Sequence, residues 1–214
     1  MNLFRLSLAN LAMSALSSVV NVLLLGLGTA RIAILLIATH QLTTTLTRNS
    51  AGIDLVIGAQ GSPLQLVLAG VYHADKPPGN IPLESAKHWM QHSMIEEATP
   101  LALGDTFQGY RIVGSEKKYI DIYGGIIDSG QLWAVPMQKH VVGSDVAANT
   151  ALEIGSTISG AHGLDGDGYA HEDNLFVVVG ILTKTGTVQD RLLVTSMQSV
   201  WLVHGAGHDY HEFR

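Results

Sequence analysis

All of the 10 histidines but His40 lie beyond residue 70, and these are the side chains whose spacing comes nearest to chemistry. His88 and His92 are four apart in a stretch that reads as a helix. Both would then project from one face, a usable geometry for two zinc ligands. His204, His208 and His211 cluster in the tail beside Asp209 and Glu212, while His162 and His171 flank Asp165-Gly166-Asp167. A bland explanation stands next to the metal one: histidines on a solvated acidic surface, since the helix pair has no third ligand within its own stretch. Metal candidates are therefore His88, His92, His204, His208 and His211, and no catalytic or cofactor-binding residue is assigned.

Other chemistry is excluded more sharply. With 0 cysteines there are no disulfides, no thiol nucleophile and no cysteine-type zinc or iron–sulfur site. The DGDG turn fails as a calcium loop, because Tyr169 falls at the fifth position, where an oxygen ligand is needed. Glu96-Glu97 and the scattered Ser, His and Asp residues have no spacing that brings them together. Phosphate-binding GxxxxGK[ST], GxSxG and HExxH patterns are all missing, so the chain is read as no enzyme and no ATPase. No cofactor is expected.

Whatever these side chains do is set by the stretch Leu16 to Ala38, LSSVVNVLLLGLGTARIAILLIA, whose one formal charge is Arg31. As a helix it would be about 34 Å long, enough to cross a hydrocarbon core of about 30 Å. A soluble core helix rarely stays apolar on every face for that length. A cleaved signal ending near Gly28-Thr29-Ala30 would leave the apolar run Ile32–Ile37 as an unpaired tail, so a retained transmembrane helix is the reading. Arg31 lies about 10 Å from the exit end by helical rise, where a lone Arg usually snorkels or faces other helices or water. Gly26 and Gly28 suit close helix packing.

Charge divides the chain at the same place. Residues 1–53 hold Arg5, Arg31 and Arg48 and no acid, whereas all 18 acidic residues lie beyond, giving an acidic domain in a chain of net charge −6. Nothing resembles a basic stripe, which excludes nucleic acid as a partner. Arg5 and Arg48 nearly balance across the span, so charge alone orients it weakly. The length and acidity of the chain beyond the span favour placing that part outside.

Residues 3–14 read as an interfacial helical lead-in, and Thr39–Ser50 as a helix projecting past the membrane. Ile53–Gly58 reads as a buried strand, and Ser62-Pro63 as the cap and first position of a helix. Residues 75–82 are a turn-rich loop. The spacing from Glu84 through Ala98 predicts a second helix. Strands are expected over 100–107, 110–114, 140–142 and 155–160, with a short helix over 116–123 and another capped by Ser144 through Leu152. Gly163–Asn174 reads as a long polar loop, Leu175–Leu182 as a strand buried on both faces, Leu192–Thr195 as a strand and Ser196–Val203 as a short helix. Strands and helices interleave irregularly, which predicts an α+β fold.

The segment Ala51–Pro63, AGIDLVIGAQGSP, resembles permeases of the FtsX-like/MacB type, the membrane subunits of ABC transport systems. Further matches come in order: Pro100–Asp105, Tyr110–Gly114, the helix with Tyr119, Gly130–Trp133 and Val141–Ala147. Then come Phe176–Leu182, Thr185-Gly186-Thr187, Asp190-Arg191 and Leu193–Trp201.

The resemblance implies a single N-terminal transmembrane helix followed by a two-lobed extracytoplasmic domain. The expected organisation is a lead-in and span over 1–50, a MacB-like periplasmic core domain over 51–203, and a His-rich tail over 204–214. Three further family helices would be missing after Arg214, making the chain a fragment or truncation. The basic cluster that often precedes the first family helix is replaced by Met13-Ser14-Ala15. Implied partners are membrane lipid, a separate ABC ATPase subunit, a second permease copy as homodimer or heterodimer, and an unknown periplasmic protein. The implied location is the inner membrane, with the bulk of the chain periplasmic, and the implied role is partner or substrate binding and transmission of ATP-driven motion. The alternative from the histidines is a membrane-anchored periplasmic zinc-binding module.

Overall fold

A computed structural model describes residues 7, 9, 13–133, 138–162 and 170–203, with side chains of 161–162 and 170–174 left aside. The chain forms two compact units, Met1–Thr47 and Arg48–Arg214. The lead-in expected over 3–14 and the tail with His204, His208 and His211 fall largely or wholly outside the described residues.

Helix α1, Ala15–Ser50, is one continuous helix of 36 residues, covering the apolar span and the polar extension expected after it. Its most apolar stretch has no buried residue, and Leu25 and Ile34 are about 70% exposed, so none of the described residues covers it. It is long and apolar enough to cross a membrane. Thr29 keeps its hydroxyl satisfied within the helix, donating to the Leu25 and Gly26 carbonyls at 3.0 Å. The last residues of α1, Arg48–Ser50, belong to the second unit.

Among the described residues, the second unit is built on a seven-stranded mixed sheet. Its strands are β1 (Ala102–Phe107), β2 (Tyr110–Ser115), β3 (Ile127–Gly130), β4 (Lys139–Val142), β5 (Thr157–His162), β6 (Ala170–Leu182) and β7 (Leu192–Ser196). The order is β3-β6-β4-β7-β2-β1-β5, and β5 also pairs with β6, so the sheet curls back on itself. The β2–β7 and β4–β6 pairs are parallel and the others antiparallel. The helices are α2 (Pro63–Gly70), α3 (Leu83–Met90), α4 (Lys118–Ile122), α5 (Ser144–Thr150) and α6 (Met197–Val203).

Alternation along the central strands sends neighbours to opposite faces and makes two cores. Val113, Val141 and Val194 join Tyr119, Tyr123 and Trp133 on one face. Their neighbours Ile112, Val142 and Leu193 join Val146, Phe176 and Val178 on the other. The mixed helix-and-sheet fold with one N-terminal apolar helix is thus as the sequence predicts.

Five local expectations need correction. Ile53–Gly58 is no strand: it runs as extended chain beside α2, where a Cβ on Gly58 would strike Leu66 and one on Gly70 would come within 3.2 Å of Val56. Val56 serves that contact, Ile53 packs against the core cluster that holds Val113 and Trp133, and Leu55 remains 66% exposed. The helix expected through Ala98 stops at Met90, where the Gln91 amide is shared between the Lys87 and Trp89 carbonyls. Ser144 is the first residue of α5 and Gly143 its cap, with no side-chain cap bond. Residues 170–174, expected in a polar loop, are the first part of β6, held by antiparallel pairing of Ala170 with Ala161. Finally, β6 alternates between buried and half-buried positions from Phe176 to Leu182, so only one of its faces is fully covered.

Candidate functional site

Two of the segments that carry the resemblance meet where α1 ends. The Arg48 guanidinium donates to the Gly186 carbonyl at 3.1 Å, and the Asn49 side-chain oxygen accepts the Val188 amide at 2.7 Å. Asn49 is the one buried residue of α1. Gly186 has φ +72, a backbone conformation that favours glycine, and the only atoms a Cβ there would meet belong to the movable end of the exposed Arg48 side chain.

The receiving loop is held rigid by Asp190, itself 3% exposed. Its carboxylate accepts the Thr185 amide at 2.8 Å, the Thr185 hydroxyl at 2.9 Å and the Gly186 amide at 2.7 Å. Thr187 caps the following 3-10 turn, Val188–Arg191, through the Gln189 amide at 3.3 Å. Gln189 is fully buried and donates to the Ile120 carbonyl at 3.2 Å, tying the loop to α4. The Thr-Gly-Thr and Asp-Arg motifs are therefore a socket for the end of α1.

Beside the socket lies an apolar groove of about 320 Å³, lined by Ser50, Ile53, Val56, Pro63, Leu66 and Val71 among others. Leu55, Ile57, Leu64 and Val67 expose 66, 40, 67 and 38% of their surface around this stretch.

At the foot of α2 the chain turns into the core through His73, which adopts φ +51. Its Nε2 lies 2.6 Å from the Tyr119 hydroxyl. Arg111, 5% exposed, donates to the Asp75 carbonyl at 2.8 Å, and the Tyr123 hydroxyl reaches the Val71 carbonyl at 3.5 Å. Burial, helped by the nearby Arg111 charge, pushes the His73 imidazole from 6.5 down to about 3. Burial likewise holds the Tyr119 phenol well above 10. Both groups are neutral, and the cluster fastens residues 71–75 to β2 and α4. A second buried histidine, His140 on β4, is 0% exposed against Phe176, ring centroids 4.3 Å apart. Burial pushes it to about 3 as well, against the opposing pull of Asp105. Sequence reading missed both: an isolated His among apolar residues looks the same whether solvated or buried.

Of the metal candidates, His88 sits in the last turn of α3 and His92 two residues past its end, so the expected shared helix face does not form. Trp89 stands between them, its centroid 5.8 Å from each imidazole. Among the described residues no three or more His, Cys, Asp or Glu side chains converge on a metal position.

No protein-family model matches the chain, and no curated protein matches it. Solved structures do. The chain is similar to the periplasmic region of MacB from Actinobacillus actinomycetemcomitans, at 18% identity and a TM-score of 0.43. The match covers 69% of this chain and 65% of that one, so this chain spans just under two thirds of the MacB region. It is also similar to the extracellular domain of the noncanonic ABC-type transporter YknZ from Gram-positive bacteria, at 10% identity, TM-score 0.42, covering 69% of this chain and 75% of that one.

Proposed function

We propose that this chain is a permease component of an ABC-type transporter, anchored in the inner membrane by α1 with the sheet domain outside. In this reading the domain binds a substrate or a periplasmic partner and moves with α1 as a separate ATPase subunit runs its cycle, in a permease homodimer or heterodimer. The observation that supports it best is the socket. The residues ending α1 are hydrogen-bonded to the Thr185–Asp190 loop, whose motifs are among those shared with FtsX-like/MacB-type permeases. A helix bonded into a loop that Asp190 and Gln189 hold in place passes displacement better than a free linker would.

The test is purification of the chain from its native membranes in mild detergent. A vanadate-sensitive ATPase should accompany it and be absent from the chain made alone. Recovery in the soluble fraction without detergent, or a membrane-purified chain with no associated ATPase, would overturn the reading.

A further inference from the structure

Residues 53–58 have the composition of a strand without a strand's partner. Ile53, Val56 and Ile57 are β-branched and the run is extended. Among the described residues, the main chain from Asp54 to Gly58 makes no hydrogen bond to another main-chain group. A row of unpaired amides and carbonyls on an apolar extended segment is a template for one more strand.

Only one side of the segment is covered. Val56 lies against α2 at Gly70, and Gly58 against Leu66. Leu55 and Ile57 alternate with these residues and so point the other way, exposing 66 and 40% of their surface. On α2, Leu64 and Val67 expose a further 67 and 38%. Val67 shares the apolar groove with Leu55 and Val56.

Position and symmetry name the occupant. Ser50 ends α1 and Ile53 begins the segment, so anchoring by α1 holds it at one height above the bilayer in every copy. Copies of this chain then meet the segment at a far higher effective concentration than a soluble protein does. The segment is also complementary to itself. In an antiparallel pair with a two-fold axis through Val56, Leu55 of each copy faces Ile57 of the other, an apolar cross-strand pair made twice. Asp54 carries the one charge of the segment and faces Gly58 in this register. The two carboxylates then stand four residues apart along the strands, about 13 Å. An axis through Leu55 would instead set each carboxylate against a valine.

We propose that residues 53–58 pair antiparallel with the same residues of a second copy, the axis at Val56 and Leu64 and Val67 flanking the joint. This rests on the membrane-anchored permease reading and gives its homodimer a specific interface.

Two differently tagged full-length chains, one with Leu55→Cys and the other with Ile57→Cys, are expressed together and oxidised in native membranes. With no native cysteine, any disulfide between the tags reports the engineered pair. Facing residues are within reach of a disulfide, whereas diagonal ones lie beyond its limit of about 7 Å. The mixed pair should therefore yield several-fold more disulfide than Leu55→Cys with itself. Asp128→Cys, exposed on β3, should yield none with itself. Leu55→Arg with Ile57→Arg, at exposed positions and with the urea midpoint unchanged, should return the chain to a monomer in detergent. No disulfide from the mixed pair, equal disulfide from every pair, or dimers that survive the arginine variant would each overturn the proposal. An ATPase that still copurifies when the disulfide fails would confine the failure to this interface. A disulfide formed with no ATPase would count against the transport reading and leave the interface standing.

Discussion

The side-chain oxygen of Asn49 accepts the main-chain amide of Val188 at 2.7 Å, joining residues 139 apart in sequence. Because Asn49 is 7% exposed and Val188 half-buried, removing the acceptor leaves a partly buried amide without its partner. Asn49→Ala should cost about 1–3 kcal/mol of domain stability in urea unfolding followed by tryptophan fluorescence. The neighbouring bond from Arg48 is exposed, so Arg48→Ala should stay within about 0.5 kcal/mol. Equal effects of the two would contradict a socket centred on Asn49.

His73 and His140 both carry imidazoles pushed by burial from 6.5 to about 3. For a base whose folded pKa is depressed, the unfolded chain binds protons first, so stability is full above the unfolded pKa and falls as pH drops below it. Arg111 reinforces the effect at His73, while Asp105 opposes it at His140. The domain should lose roughly 1 kcal/mol per pH unit for each histidine between about pH 6.5 and pH 3. Urea midpoints at pH 7, 6, 5 and 4 measure this. His140→Leu, of similar volume, should flatten the slope by about half, and an unchanged slope would refute the assignment.

Tyr119→Phe removes the hydroxyl 2.6 Å from His73 Nε2 and strands a buried ring nitrogen, an expected loss of about 1–3 kcal/mol. Tyr123→Phe gives up a long 3.5 Å contact to the Val71 carbonyl and its hydroxyl's interaction with Tyr119, and should cost about 1 kcal/mol. Chemical melts of the two variants rank them, and the reverse order would remove His73–Tyr119 as the fastening of residues 71–75 to the core.

The parts of this molecule legible in the sequence are those governed by local pattern. Leu16–Ala38 is an unbroken apolar run without Pro, and α1 is the continuous helix it forms. Ser62-Pro63 fixes the start of α2 by capping and ring geometry, and the Ser62 hydroxyl does accept the Gln65 amide, at 3.4 Å. The expectations that failed depended on distant partners. Ile53–Gly58 has strand composition, yet no described sheet edge pairs with it; Val56 packs on α2 and Ile53 on the core instead. The end of α3 at Met90 was invisible because Gln91 and His92 do not forbid a helix; the turns after Met90 bend the chain away. The socket was legible only as motif letters. That Asp190 gathers Thr185 and Gly186 while Asn49 reaches Val188 is a fact of tertiary contact.

The absence of cysteine makes the topology of α1 directly measurable. Ser7 and Asn80 are both exposed and stand before and after the span. In intact cells with a permeable outer envelope, a membrane-impermeant maleimide should label Asn80→Cys at once and Ser7→Cys only after lysis. The opposite pattern would put the domain in the cytosol.

Arg31 decides whether α1 is a simple anchor or a bundle member. A charged side chain within an apolar span opposes insertion by up to about 3 kcal/mol near the helix centre. Arg31→Leu should therefore raise insertion efficiency in a translocon glycosylation assay. If Arg31 only snorkels toward the surface, the variant should keep its associated ATPase. A bundle role predicts the other outcome, because a buried Arg facing other helices is paired there, and its loss leaves that partner charge or dipole unsatisfied. Gly26 and Gly28 are residues of the size that lets another helix approach closely, which is what a bundle role would use. We therefore expect Arg31→Leu to insert better and yet retain less ATPase on purification, with Gly28→Leu losing it without any gain in insertion. Improved insertion with undiminished ATPase in both variants would reduce α1 to an anchor.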